Sequence, residues 1–530
     1  MSLVKSSSLL AVGTVASRVL GLVRSLVLTY AIGTRLVGDT FAVANTVPNM
    51  IYLLLVGGVI NAVFVPQLVR AAKNDEDGGK AYTDRLLTLT GIALLVLTVV
   101  ATVAAPLVIR LTYHNDVSGR PLSVLFAYWC LPQIFFYGVY TVLGQVLNSR
   151  GVFGPMMWAP IVNNVVAIAV GLLLVRADIE PGRAGSVSHG EAAFLGLGTT
   201  LGVVAQAVVL LPYLRAAGYR FTPRTDFRGY GLGKAATLAK WTIGFVLVNQ
   251  AAYLVVVALA GSAGDQFGTS RGVGINAYQN AYLFFILPHS VITVSLVTVL
   301  LPTMSAAAAE GRTGRVREML SQALRLVGVA IVPSAAGLML LGETAGAALF
   351  GHGANGRADG TYIGIVLAVF AAGLVPFACH HVLLRSFYAY EDTRTPFLIA
   401  CVVSACNAAL ALAVTPLLSA EWRTVGLAGV YAVTYWVALA VTATLARRRL
   451  GGLDERRVVR TYVRLVLAAV VGGLLGLTVL LGLRRLLGDA LGPEVLSGAV
   501  AGLVLLLGYL WACARMRVRE VGELVGSLRR

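Results

Sequence analysis

What most constrains this chain is the recurrence of apolar stretches near twenty residues long, the length of helix that crosses the hydrocarbon of a bilayer. About fourteen can be marked, at roughly 9–31, 40–69, 86–109, 122–147, 157–175, 193–214, 241–260, 274–304, 324–349, 361–388, 396–418, 425–445, 462–483 and 495–514. The polar stretches between them are short, so no large soluble domain fits. Charged residues make up 12% of the chain and the mean hydropathy is +0.81; a soluble domain carries about twice that charged fraction. The expected fold is all-α: a polytopic membrane protein of about 14 transmembrane helices.

A net charge of +18 would suggest nucleic acid in a soluble protein. Here the basic residues sit in loops, where they obey the positive-inside rule and meet anionic membrane lipids, so no nucleic-acid partner is expected. With both termini cytoplasmic, the inside loops and adjoining span ends hold about three times as many Lys and Arg as the outside loops. The richest are "RRRLGGLDERRVVR" at 447–460 and the 215–240 connection. The five cysteines lie in apolar segments without a CxxC, which argues against a disulfide framework or a zinc site. His380 and His381 are adjacent but have no carboxylates at metal-ligand spacing, and "RGYGLGK" at 228–234 lacks the P-loop spacing. No metal or cofactor is expected, and the residues do not specify a coupling ion. The N-terminus shows no small-residue cleavage site, so the first helix is expected to stay attached.

An internal repeat is suggested by a shift of 244, which sets Pro132, Arg150, Phe153 and Asn163 on Pro376, Arg394, Phe397 and Asn407. A looser echo links "GD" at 38–39 with "GD" at 264–265. Each is followed by a long span with an internal proline (Pro48, Pro288) and a closing one (Pro66, Pro302). Six spans separate the partners, so the repeat keeps its orientation in the membrane. This predicts an N-lobe over 1–220, a C-lobe over 221–450, and a C-terminal helix pair with a tail over 451–530, with a cavity between the two lobes. Gly57, Gly58, Pro66 and Pro288 interrupt spans two and eight as candidate hinges, since broken helix survives in lipid where neighbours or water satisfy the backbone.

"SRVLGLVRSLVL" at 17–28 places Arg18 and Arg24 inside the first span. An arginine at mid-depth costs roughly 2.5–3.5 kcal/mol on insertion scales unless it faces water, a counter-ion or an anion. Six residues along a helix is about 9 Å of rise and about 120° of turn, so both can line one broad wall. Asp39 is the only nearby acid and cannot neutralise both, which points to an anion site. Asn249, Gln250, Asn276, Gln279 and Asn280, from spans seven and eight, can add neutral donors. Guanidinium forks match phosphate oxygens, so the mixture suits a phosphate-bearing substrate with polar groups.

"SRVLGLVRSLVL", "GDTFAVANTVPN", "AVFVPQL", "VLNSRGVFGPMMWAPIVNN" and "VLLPTMS" resemble the MurJ/MviN family of the multidrug/oligosaccharidyl-lipid/polysaccharide exporter superfamily. The resemblance covers essentially the whole chain, and "NSRGVFGPMMWAP" resembles the actinobacterial form. It implies a lipid II flippase of the bacterial cytoplasmic membrane, moving the undecaprenyl-diphosphate-linked peptidoglycan precursor to the outer leaflet by alternating access. Ser17, Arg18, Arg24, Asp39, Pro48 and Asn49 match the family's pattern, with the arginines in the cavity and the aspartate near the outer gate. The resemblance also implies a groove for the polyprenyl tail beside the C-terminal helix pair. Tyr52, Leu53 and Leu283 stand where many members are basic. A monomeric transporter, not an enzyme, is expected. The alternatives are an exporter of another polyprenyl-linked saccharide or an amphipathic drug, and a membrane-embedded transferase acting on lipid-linked sugars.

Overall fold

The computed structural model describes residues 3–54, 68, 77–112, 119–177, 179–226, 232–267, 270–488 and 490–522. Among them the chain is helical, without a strand, and forms two compact units, Met1–Asn276 and Ala277–Arg530. In chain order the first unit holds α1 (Leu3–Ile32), α2 (Leu36–Leu54), α3 (Lys80–Val103), α4 (Ala105–Thr112), α5 (Arg120–Cys130), α6 (Gln133–Ser149) and α7 (Gly154–Leu174). It continues with α8 (His189–Val208), α9 (Leu211–Ala216) and α10 (Leu232–Phe267). Helix α11 (Ile275–Pro288) leads into the second unit. A five-residue π segment (His289–Thr293) follows, then α12 (Val294–Ala309), α13 (Thr313–Phe350), α14 (Arg357–Ala371) and α15 (Leu374–Ala389). The last are α16 (Arg394–Val414), α17 (Ala420–Leu450), α18 (Glu455–Leu487) and α19 (Leu491–Arg515).

Eleven stretches among the described residues are long and apolar enough to cross a membrane, or twelve if α14 and α15, bent by 48°, count as one. That count stops short of the expected fourteen. Helices α1 and α2 overlap the first two expected spans, and most of the second beyond Leu54 lies outside the described residues.

Local chemistry sets the helix ends. Gly33, with φ 73°, closes α1 and donates to Thr29 O. Ser188 and Glu191 form a reciprocal cap on α8. Helix α17 ends on Gly451, with φ 67°, behind Arg447, Arg448 and Arg449, whose charge suits a helix C-terminus.

Internal prolines leave a carbonyl four residues back without its usual donor. In α7, Pro160 releases Met156 O, and the Tyr140 hydroxyl donates to it at 2.7 Å. In α13, Pro333 releases Val329 O, and the Tyr509 hydroxyl does the same at 2.7 Å. Each tyrosine comes from another helix, so the repair also fastens two helices together.

In the first unit, Leu86, Tyr140, Leu143, Leu147, Leu210 and Leu214 form a core that joins α3, α6, α8 and α9. At its edge Asp84 is fully buried, accepts from the Tyr219 hydroxyl at 2.6 Å and pairs with Lys80 at 2.9 Å. In the second unit, α13 and α14 meet through two small-residue pairs. A Cβ on Gly346 would fall 2.3 Å from Gly360 O, and one on Gly342 2.6 Å from Gly364 O. Helix α18 packs on α19 the same way at Gly472, where a Cβ would meet Leu505 O at 2.4 Å. The C-terminal pair is therefore not a loose appendage: Val329 and Val332 of α13 pack with Leu465, Ala468, Tyr509 and Cys513. Buried Arg325 pairs with Glu520, and Glu494 bridges Arg357 and Arg484.

Helix ends suggest an offset other than 244. Helices α7 and α16 begin at 154 and 394 and end at 174 and 414, a shift of 240. Pro48 and Pro288 share that shift. The two offsets differ by four residues, close to one helical turn.

Candidate functional site

Helix α1 carries Ser17, Arg18 and Arg24 and is fixed against α7. Asn164 Nδ2 donates to Ser17 O at 3.0 Å, so Ser17 is held through its backbone. The close approach depends on glycine: a Cβ on Gly171 would lie 2.8 Å from Val27, and one on Gly13 3.0 Å from Trp158. Arg18 and Arg24 are both half-buried, and neither is in an ion pair among the described residues. Tyr137 of α6 is buried, and Arg24 lies within electrostatic range of it. Asn163 donates to Gln206 Oε1 at 3.1 Å. Tyr52 stacks on Tyr137 with ring centres 4.6 Å apart.

Along α2, on either side of Pro48, side chains bond the helix's own carbonyls. Thr46 Oγ1 donates to Ala42 O at 2.7 Å, and Asn49 Nδ2 donates to Asn45 O at 2.7 Å. Gln250 Nε2 reaches from α10 to Met50 O at 2.9 Å, whereas Asn249 bonds its own helix at Phe245 O.

Asp39 opens α2 and is 1% exposed. Its Oδ1 accepts the Asn276 backbone N–H at 2.7 Å, and Asn276 Nδ2 donates to Gly38 O at 2.9 Å. The carboxylate rests closely against two glycines. A Cβ on Gly274 would stand 1.3 Å from Asp39 Oδ2, and one on Gly264 1.9 Å from it. Nearby, a Cβ on Gly272 would strike Thr34 Oγ1 at 2.1 Å, and Val37 N donates to Pro181 O at 3.0 Å. The α1–α2 corner is thus latched to the connection between α10 and α11.

Gln279 and Asn280 lie on the part of α11 within the second unit, Asn280 buried and Gln279 partly so. Leu283, one turn on, is half-buried. Pro288 ends α11 immediately before the π segment. The candidate hinges Gly57, Gly58 and Pro66 lie outside the described residues. Grooves lie in each unit among the described residues. One, of about 890 Å³ in the first unit, runs along Leu87, Leu94, Phe135, Leu211 and Tyr219 with Arg215 at its wall. Another, of about 610 Å³ in the second unit, is lined by Leu383, Trp436, Leu439, Val459, Val463 and Leu467 and runs along α18.

The sequence-family model "Lipid II flippase MurJ" matches residues 28–487. The chain belongs to the lipid II flippase MurJ family. It is 28% identical over 488 residues to the probable lipid II flippase MurJ of Rhizobium tropici, covering 90% of this chain and 87% of that one. Against the lipid II flippase MurJ of Burkholderia cenocepacia it is 28% identical over 396 residues, 73% of each chain. Among solved structures, a lipid II flippase MurJ in an inward closed conformation aligns with a TM-score of 0.76 at 18% identity, covering 97% of this chain and 99% of the other. An inward-facing multidrug transporter of the MATE family aligns at 0.67 and 14% identity, covering 83% and 96%. These two likenesses establish the fold of this MurJ family member.

The charge pattern marks the two arginines but not the polar groups on neighbouring helices: Asn164, which holds Ser17, and the pair Asn163 and Gln206. Adjacent amides in an otherwise apolar span, as in "APIVNN", were the available signal. The glycines around Asp39 gave none.

Proposed function

We propose that the chain carries lipid II, the undecaprenyl-diphosphate-linked disaccharide-pentapeptide, from the cytoplasmic to the outer leaflet by alternating access, supplying cell-wall synthesis. The observation that carries this reading is the pair Arg18 and Arg24, half-buried on α1 with no carboxylate partner among the described residues. A guanidinium held in this way is poised for an anion, and its fork suits a diphosphate. Family membership makes the chain a multi-pass transporter of a bacterial membrane and removes the transferase alternative. The groove of about 610 Å³ along α18 supports a path for the polyprenyl tail.

On this reading the chain has fourteen spans and cytoplasmic termini, and acts as a monomer. Its lobes run over 1–220 and 221–450, with 451–530 as the added helix pair. The Asp39 latch closes the outer side. Asn49, Gln279 and Asn280 supply neutral donors to the head group, and Gly57, Gly58, Pro66 and Pro288 are the hinges. Depletion of the protein tests the reading: lipid II should accumulate in the cytoplasmic leaflet. Normal lipid II turnover, with a different polyprenyl-linked saccharide accumulating, would replace the substrate. That second reading is favoured by Tyr52 and Leu283, apolar or neutral where many relatives carry a cation.

A further inference from the structure

We propose that His289, His380 and His381 form a proton-binding site in the second unit, and that its occupancy controls the π segment His289–Thr293. The chain has six histidines, and three of them meet here. The rings of His289 and His381 are 4.9 Å apart, and those of His380 and His381 are 5.2 Å apart. His289 and His380 are buried. Among the described residues no three His, Cys, Asp or Glu side chains are placed to hold a metal ion, so a proton is the ligand that fits this cluster.

The hydrogen bonds fix where the proton goes. His381 Nδ1 is 2.9 Å from Phe377 O. A carbonyl oxygen only accepts, so Nδ1 carries the hydrogen and Nε2 of the neutral ring keeps its lone pair. His381 Nε2 is the proton acceptor. His380 Nδ1 is 2.9 Å from Thr442 Oγ1, a hydroxyl able to donate or accept, so that ring can change tautomer in response. The Phe377 ring lies 4.3 Å from His381 and 4.6 Å from His289, and Tyr435 stacks on His381 at 6.3 Å. Phe377, at 4.3 Å from His381, is within the range of about 6 Å over which an aromatic ring favours a cation, and Tyr435 lies just beyond it.

The surroundings make the proton's stay conditional. Arg385, one turn along α15, opposes a charge on His381. Helix α17 contributes Tyr431 and Tyr435, and Tyr282 of α11 reaches Tyr431 at 3.4 Å. Cys379 faces Tyr462 of α18. On α13, Arg325 is paired with Glu520, and Glu343 is exposed; α12 carries no ionisable side chain. No carboxylate of the described residues is ion-paired with His380 or His381. A cation in this pocket has aromatic faces but no counter-charge, so protonation favours an arrangement that admits water. The element placed to respond is the π segment, because His289 is its first residue and follows Pro288. Isolated π turns are found often at functional sites. What the proton drives rests on the transporter reading; whether it binds does not.

The test uses the full chain in lipid bilayers, uniformly ¹³C,¹⁵N-labelled, titrated by solid-state NMR from about pH 8 to about pH 3, a window wide enough for an imidazole whose charged form burial disfavours. A cluster ring should pass from neutral to cationic, and the backbone signals of Pro288–Thr293 should move with the same midpoint. In His381→Gln both changes should vanish while the remaining spectrum is kept; His289→Gln is the second variant, in which the π-segment response is lost. The proposal is overturned if none of the three rings titrates in that range, or if one does while the π segment stays still. In liposomes holding lipid II, an imposed proton gradient should change the wild-type translocation rate several-fold and that of His381→Gln hardly at all. Titrating rings without any lipid II movement would support the proton site and count against the flippase reading.

Discussion

A half-buried guanidinium without a carboxylate is a standing cost of insertion, and that asymmetry makes it testable. Arg18→Ala and Arg24→Ala should each abolish or sharply reduce transport while easing insertion, by roughly 2.5–3.5 kcal/mol per cation removed from mid-depth. Arg→Lys should keep part of the activity, because a point charge replaces a fork. Complementation of a depleted strain, with membrane levels measured alongside, checks this; normal growth with Arg18→Ala removes the anion site at that residue. Asp39 offers a second test. Gly274→Ala puts a methyl group where Asp39 Oδ2 already lies, at 1.3 Å. The latch should fail to close and transport should stop, with the protein still present in the membrane. Unimpaired transport by Gly274→Ala would show that the latch does not need to close. The arginines were legible because a charge in a lipid-length run stands out. The glycines against the carboxylate were not, because Gly264 and Gly274 have no side chain to read and sit more than two hundred residues from Asp39.

At the level of the element, prolines in the sequence announce a broken helix but not its repair. The donors to the freed carbonyls, Tyr140 and Tyr509, lie 16 and 180 residues from their acceptors. Tyr509→Phe should therefore destabilise the protein by about 1–2 kcal/mol through loss of one buried interhelical bond, read as a lower melting temperature in detergent. An unchanged melting temperature would mean that water or a neighbour takes over the carbonyl. Identical residues and helix ends set different offsets for the suggested repeat, 244 against 240, because identical residues can mark faces of a helix whereas helix ends mark its place in the chain. Connections hold a separate lever. Burial pushes the Asp392 carboxyl up, but the Thr395 N–H and hydroxyl together with Arg449 outweigh it and hold it below its usual value near 3.8. A lowered folded value means stability that is present above about pH 4 and lost as the pH falls through the folded value. The melting temperatures of wild type and Asp392→Asn should differ at neutral pH and converge below about pH 4.

For the whole molecule, apolar run length made an all-helical membrane fold legible, since no other backbone satisfies its own hydrogen bonds in lipid. Orientation rests on basic residues, and single-cysteine labelling checks it. Positions in 176–191 should react from outside, and positions in 447–460 only from inside. The reverse pattern would invert the assignment of every loop. The tie between the C-terminal helix pair and α13 was not legible, because Glu520 meets Arg325 across 195 residues. The π segment has a consequence for the whole second unit. It carries one residue more than a regular turn would need, so it stores a phase. Winding it into ordinary α-helix would turn α12 by about 100° about its axis and draw it along by about 1.5 Å, with no bond broken in the rest of that helix. Val297, Met304 and Ala307, now the buried stripe of α12, would then face a new direction together. A five-residue stretch can in this way act as the screw thread of a sixteen-residue rod.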